Sequence, residues 1–408
     1  MDIRIITLTS ALHDRRRIEE ESARFVAEIQ EHTPVRLIVE ADGAGDNGAA
    51  DNAKGCASVV YVRTGGVEMQ FAGKVPVLAG RPVYLLTSGG NNSLAASMEI
   101  LSYVRDHGGS GEILHGSAEY IGRRLTEIAR VEHARRELEG SVIGVIGEPS
   151  DWLIASRADE TALRNLLGIS VRHISMQELL EEVGRVKEVG ADTRLKLKEC
   201  PSAYFDGALR IYEALRVLVA RHGLNGLTLR CFDLLTSLHN TGCLALALLN
   251  SEGVPSSCEG DVPALLTMMA AKALTGRSGF QANPSRINPE TGEMVFAHCT
   301  VPLDMVRDYS YDTHFESGIG VALHGELPEG EATLMKVGGD MKRLFVREVR
   351  LLRNSCESNL CRTQVVLRSA PEDAAFLLRE PIANHHVIVS GCWRRQVEAL
   401  FAPLGLGR

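Results

Sequence analysis

The sequence predicts an α/β protein in which two parallel-sheet domains precede a β-rich C-terminal domain, and three observations carry that reading. Apolar β-branched runs alternate with charged amphipathic stretches from the N-terminus onward, which is the spacing of β–α–β units. The alternation restarts at SVIGVIG (141–147), after a long charged helix. From residue 294 the chain changes to short strands punctuated by glycine. The expected domains are therefore 1–140, 141–293 and 294–408. A chain of 408 residues also exceeds what one hydrophobic core normally supports.

Taken in order, Ile3–Leu8 reads as a strand, Asp14–Glu31 as an amphipathic helix and Val35–Glu40 as a second strand. Residues 41–57 are rich in Gly, Ala, Asp and Asn, have no periodicity, and read as a loop. Val59–Arg63 and Val83–Thr87 read as strands. The latter passes through the turn Gly89-Gly90-Asn91-Asn92-Ser93 into a helix starting near Ser93. A turn at the carboxyl edge of a parallel sheet offers backbone N–H groups where open α/β sheets bind ligands, which makes Asn91 and Asn92 candidate substrate contacts. It lacks the dinucleotide and Walker spacings, and a capped tight turn is its plainer reading. Ala118–Glu139 reads as the long helix before the restart. In the second domain a strand is expected over Leu163–Val171, helices over Met176–Val186 and Ala203–His222, and a strand over Gly226–Phe232. The Cys- and Ala-rich run Thr241–Leu249 comes next. The β-rich tail closes with a helix at Arg394–Phe401.

With 45% apolar and 24% charged residues the composition is that of a globular protein with ample core. A net charge of −8 and the lack of a long basic run argue against nucleic acid as partner. The clusters Arg15–Arg17 and Arg394–Arg395 read as solvated helix faces. No apolar run is long enough to span a bilayer, so no membrane partner is expected, and Met1 leads straight into a strand rather than a signal peptide. The nine cysteines show neither CxxC nor Cys/His zinc spacing. Together these features predict a cytoplasmic protein with reduced thiols.

The stretch Val254–Thr300 concentrates the chemistry. Glu259 and Asp261 precede the apolar segment Val262–Leu274, whose one formal charge is Lys272, and a polar loop is expected over Gln281–Arg286. Acids at a helix start are ordinary capping groups. This helix, however, reads as buried, so the acids lie at the edge of a core, where carboxylates need a cation or hydrogen-bond donors to stay ionised. A metal is the natural candidate.

This stretch, with AHCT (297–300), THFESGIG (313–320), CRTQ (361–364) and NHHVIVSG (384–391), resembles the L-fucose isomerase and L-arabinose isomerase superfamily in its shorter branch of roughly 400 residues. LLTSGGNNSLAASMEIL and VIGEPSDWLIAS resemble that branch in the N-terminal half. The resemblance implies two doubly wound domains and a C-terminal β-rich domain. The implied reaction is aldose–ketose isomerisation at a divalent metal, usually Mn²⁺, in a homo-oligomer whose active sites are shared between subunits. The turn Ser88–Ser93, with no obvious partner in its own domain, agrees with such sharing.

Carried over position by position, the catalytic and metal-binding glutamate falls on Glu259 and the metal-binding histidine on His385. The second metal carboxylate, an aspartate that belongs to the catalytic pair, falls on Asn283. An amide oxygen can ligate a hard cation, but it adds no charge and is no base at neutral pH. Either the metal is held more weakly, or another acid such as Asp261 or Glu316 shares the task, or the site works without metal. His386 is expected to point away from the site if its segment is a strand. His298, His314, Glu316, Lys336 and Arg362 are candidate sugar contacts, against the plainer reading of a hydrogen-bonded core histidine, and Arg286 is either a contact or a surface residue. The combination of an asparagine at the metal position with His and Arg side chains fits an acidic sugar, such as 6-sulfo-6-deoxyglucose (sulfoquinovose). A sugar-binding or regulatory protein that kept the fold without the activity is the alternative.

Overall fold

The structure is a computed structural model that describes residues 1–40, 57–75, 77, 81–195 and 197–402. The loop expected over 41–57 lies outside the described residues except for Ala57. The described residues divide into two compact units, one of Met1–Arg136 with residues 399–402, the other of Glu137–Glu398.

In the first unit β1 (Asp2–Leu8), β2 (Arg36–Val39), β3 (Ala57–Val62), β4 (Val83–Leu86) and β5 (Gly111–Leu114) form one parallel sheet in the order β2-β1-β3-β4-β5. Alternate residues feed two separate apolar clusters, one containing Ile3, Ile5, Val59 and Tyr61 and the other Leu8, Val60 and Val62. Both faces of the sheet are therefore covered, as a parallel sheet requires. The helix Arg15–Gln30 starts where predicted, with Asp14 accepting from the Arg17 N–H.

The second unit opens with β6 (Val142–Ile146), β7 (Ser170–Ile174), β8 (Gly226–Leu229) and β9 (Ser256–Cys258), parallel in the order β7-β6-β8-β9. A closed antiparallel barrel follows, β10 (Phe280–Ile287), β11 (Glu293–His298), β14 (Gly330–Val337), β15 (Leu344–Ser355), β16 (Thr363–Arg368) and β17 (His386–Ser390), with the hairpin β12 (Asp308–Asp312) and β13 (Ala322–Glu326) as a separate two-stranded sheet. A closed barrel leaves no open sheet edge. One apolar cluster runs from Ile146 and Leu229 on the parallel sheet to Phe296, Leu334 and Ile388 on the barrel, so sheet and barrel share a core.

Several local expectations change. Leu163–Val171 is the end of the helix Glu160–Leu167, stopped by Gly168 in left-handed backbone, and the beginning of β7. The run Thr241–Leu249 belongs to the helix Cys243–Ser251, buried almost throughout, so no amphipathic period marks it. The expected loop Gln281–Arg286 is barrel strand β10. Pro284 lies at a register shift between Pro284 and Arg286, where a strand tolerates proline. The barrel thus begins at Phe280, ahead of residue 294. A helix at Pro371–Arg379 adds to the C-terminal region, with Pro371 in its first turn followed by Glu372 and Asp373, an ordinary start signal.

Candidate active site

Strand β9 ends at Cys258, and the next two residues both adopt left-handed backbone, Glu259 at φ 66° and Gly260 at φ 73°. Glycine is required at 260 because a Cβ there would lie 2.6 Å from Pro149 Cα. Glu259 has no such freedom, and its conformation costs on the order of 1–3 kcal/mol and persists only where neighbours hold it. They do: the Ser150 N–H donates to the Glu259 carbonyl at 2.9 Å and the Gly260 N–H to the Leu229 carbonyl at 3.1 Å. From β10, the Gln281 side-chain oxygen Oε1 accepts from the Cys258 N–H at 2.9 Å. The Trp152 indole N–H donates to Glu259 Oε2 at 2.6 Å. The sequence therefore stores strain at one acid and pins it from three elements.

Asp261 is the N-cap of the helix Val262–Thr275, its Oδ1 accepting from the Ala264 N–H at 2.7 Å. Its Oδ2 meets His385 Nδ1 at 2.9 Å and Lys336 Nζ at 3.4 Å, with all three side chains buried. A carboxylate on Nδ1 makes that nitrogen the donor and leaves Nε2 as the ligand atom of a neutral ring. His385 Nε2 lies 3.4 Å from Glu259 Oε1, out of line for a hydrogen bond, and has no hydrogen-bond partner. His298 packs its ring edge-on to His385 with centroids 5.5 Å apart, and its Nδ1 is also unpartnered. Donor atoms of Glu259, His298 and His385 all lie within 4.8 Å of one another. The register of β10 on β17, with Ala282 opposite His386, brings Asn283 beside His385, and Asn283 Oδ1 is a third buried atom without a partner.

Buried polar atoms are nearly always satisfied. Three orphaned buried atoms beside an ionised carboxylate fit a divalent cation, with His385 Nε2 becoming a lone-pair donor once its ring gives up a proton to the incoming ion. This buried Glu/His/His group could hold a metal.

The electrostatics are consistent with that. Burial pushes the Glu259 carboxyl up, but His385 and the Trp152 N–H outweigh it and hold it down at about 2. Asp261 likewise pays for burial and is brought down to about 2 by Lys336 and His385. His385, opposed by burial but flanked by both acids, rises to about 9. His298 falls to about 3 through burial and the neighbouring His385 charge, so it is a neutral ring with a free lone pair.

The remaining predicted residues sort by position. His314 is buried, its Nδ1 3.1 Å from Ser317 Oγ and its ring edge-on to Phe232, and Glu259 and Arg362 both act on its charge. Arg362 orders the same loop by donating to the Thr313 carbonyl at 2.8 Å and pairing with Asp312 at 3.3 Å. Lys336 is fully buried and pairs with Asp261 Oδ2 at 3.4 Å. Glu316 is exposed, and Asp261 is the second acid of the cluster. Arg286 sits on the surface paired with Glu357. His386 turns away from the site, as expected, and packs edge-on to Phe296 and Phe345. Asn91 and Asn92 lie in the other unit, both in left-handed backbone. Their turn does have partners in its own unit: Thr87 Oγ1 donates to Ser93 Oγ, which donates to the Gly90 carbonyl, and Asn91 reaches Glu21 at 3.4 Å. Trp152 and Gln281 were missed as site residues. Only the residue types hinted at them, since their partners are more than 20 positions away in sequence.

No family model matches the chain. It is similar to a sulfoquinovose isomerase of Clostridium sp. (strain MSTE9), 26% identical over 234 residues that make up 54% of this chain and 52% of that protein. It is also 23% identical over 318 residues, 74% of this chain and 71% of theirs, to sulfoquinovose isomerases of Priestia aryabhattai and Priestia megaterium. The chain thus spans about half the length of the Clostridium relative in the matched region. These similarities relate it, distantly, to sugar isomerases. Among the described residues no helix is long and apolar enough to cross a membrane.

Proposed function

We propose that the chain is an aldose–ketose isomerase acting on an anionic monosaccharide of the sulfoquinovose type through a cis-enediol. The observation that carries the proposal is the convergence of Glu259, His298 and His385 in one buried group with unpartnered donor atoms. The resemblance to the fucose and arabinose isomerases and the names of the similar proteins supply the reaction class.

Glu259, His298 and His385 would hold a divalent ion, for which Mn²⁺ is our choice, with the Asn283 amide oxygen as a neutral further ligand. When bound, the ion supplies the Lewis acidity that stabilises the oxyanion formed on the sugar as the proton leaves carbon. Glu259, ionised at neutral pH, takes the proton from C2 and returns it to C1 on the same face, while the hydroxyl proton passes from O2 to O1. Asp261 keeps the His385 ring in the tautomer that turns Nε2 toward Glu259. Lys336 balances Asp261 so that this buried carboxylate stays charged. His314, on the loop after β12, and Arg362, which precedes β16 and donates to that loop at Thr313, border the site, and the Arg362 cation suits the acidic end of the sugar. Asparagine at 283 agrees with such a substrate. One carboxylate and two neutral rings leave a divalent ion with a net positive charge, where a second carboxylate would neutralise it.

The reading extends to a cytoplasmic homo-oligomer with shared active sites and to the three-part domain division. The test is a panel of neutral and anionic aldoses incubated with metal-stripped and Mn²⁺-loaded protein and followed by NMR. Ketose formed from the sulfonated sugar, and only with metal, is the expected result. Saturable binding with no turnover of any aldose would instead favour a sugar-binding protein.

A further inference from the structure

Trp152 is the site feature that the reaction scheme does not use. Its indole N–H makes a short, charge-assisted bond to Glu259 Oε2, while its side chain stays half exposed, at 52%. A large aromatic ring left open to solvent beside a buried carboxylate is unusual. Such rings combine an apolar face with a polar edge, the pairing that packs against the C–H face of a sugar while the edge holds a polar group.

The ring is also firmly mounted. Its edge meets Phe232 at a centroid distance of 4.8 Å, and Phe232 in turn meets His314 at 5.4 Å, making an aromatic arc beside Glu259. The loop that bears it is tied to the catalytic turn by the Ser150 N–H on the Glu259 carbonyl. Arg230 fastens the loop at the Pro149 carbonyl, 2.8 Å, and at Asp151, 3.1 Å. Hydrogen bonds therefore tie the loop both to the turn and to the end of β8.

We propose that Trp152 is a positioning residue with two separable tasks: its N–H fixes which Glu259 oxygen faces the reacting carbons, and its open face is the surface on which the sugar packs. This rests on the isomerase reading above. With Oε2 engaged by the indole, Oε1 is the oxygen on the His385 side, turned toward the group that would hold the ion and the substrate.

The chain has two tryptophans, Trp152 and Trp393. In Trp393→Phe, Trp152 is the sole reporter, and sulfoquinovose or its borohydride-reduced hexitol, which cannot isomerise, should shift and quench its emission saturably. Trp152→Phe keeps a ring and loses the N–H, so kcat should fall about tenfold, the scale of one hydrogen bond to a charged group, with KM within about twofold. Trp152→Ala should show the same kcat loss and raise KM about tenfold more. Unchanged emission at saturating hexitol, or Trp152→Phe with wild-type kcat, overturns the proposal. If the sugars bind and move the emission but no variant, nor the parent, turns them over, the packing role stands and the isomerase reading fails.

Discussion

Glu259 and the residues that face it carry the account at the residue scale. Glu259→Gln keeps the volume and the Trp152 partner but removes the base, so kcat should fall by at least about 10³-fold with the fold intact, as steady-state kinetics and circular dichroism will read. His385 gives a pH prediction with a definite sign. Its pKa of about 9 in the metal-free protein is above the usual 6.5, so its ion pairs stabilise the protein fully below pH 6.5 and that contribution is lost as pH rises through 9. A metal needs the neutral ring, so Mn²⁺ binding near neutral pH should release about one proton, measured by calorimetry in buffers of different ionisation enthalpy. No proton release would place the ion elsewhere. Asn283→Asp should tighten Mn²⁺ by restoring a ligand charge without necessarily raising kcat, and unchanged Mn²⁺ affinity and KM would take Asn283 out of the site.

The elements that deliver these residues are a strand end, a helix start and a barrel. Gly260→Ala forces a Cβ into the Pro149 backbone at a left-handed position, and should cost about 1–3 kcal/mol in denaturant unfolding with a larger loss of activity than of stability. Lys336→Met strands the charge of Asp261 in the shared core, and about 3 kcal/mol of stability should go with it. Most of the elements were readable because their periods are local: the helix Arg15–Gln30 with its Asp14 cap, and the buried helix after Asp261. The sheet orders and barrel closure were not, because they depend on pairings such as Phe280 with Ile388, over a hundred residues apart. The same distance hid the inner logic of the candidate site. Glu259, Asp261 and His385 could be named from their motifs, while the Lys336 counter-ion and the Trp152 donor appear only once β14 and the Glu148–Trp152 loop are placed.

For the whole molecule, the decisive question is whether this buried group isomerises a sugar. Light scattering should find a homo-oligomer, and a fully active monomer would remove shared active sites from the account. The reaction itself has a direct signature. Sulfoquinovose incubated with Mn²⁺-loaded protein in D₂O should give the 6-sulfonated ketose, with solvent deuterium entering at C1 of the ketose and C2 of the aldose in the NMR spectrum, because the proton passes through Glu259. Absence of ketose, or ketose formed with no deuterium in either sugar at equilibrium, would contradict proton transfer by this carboxylate.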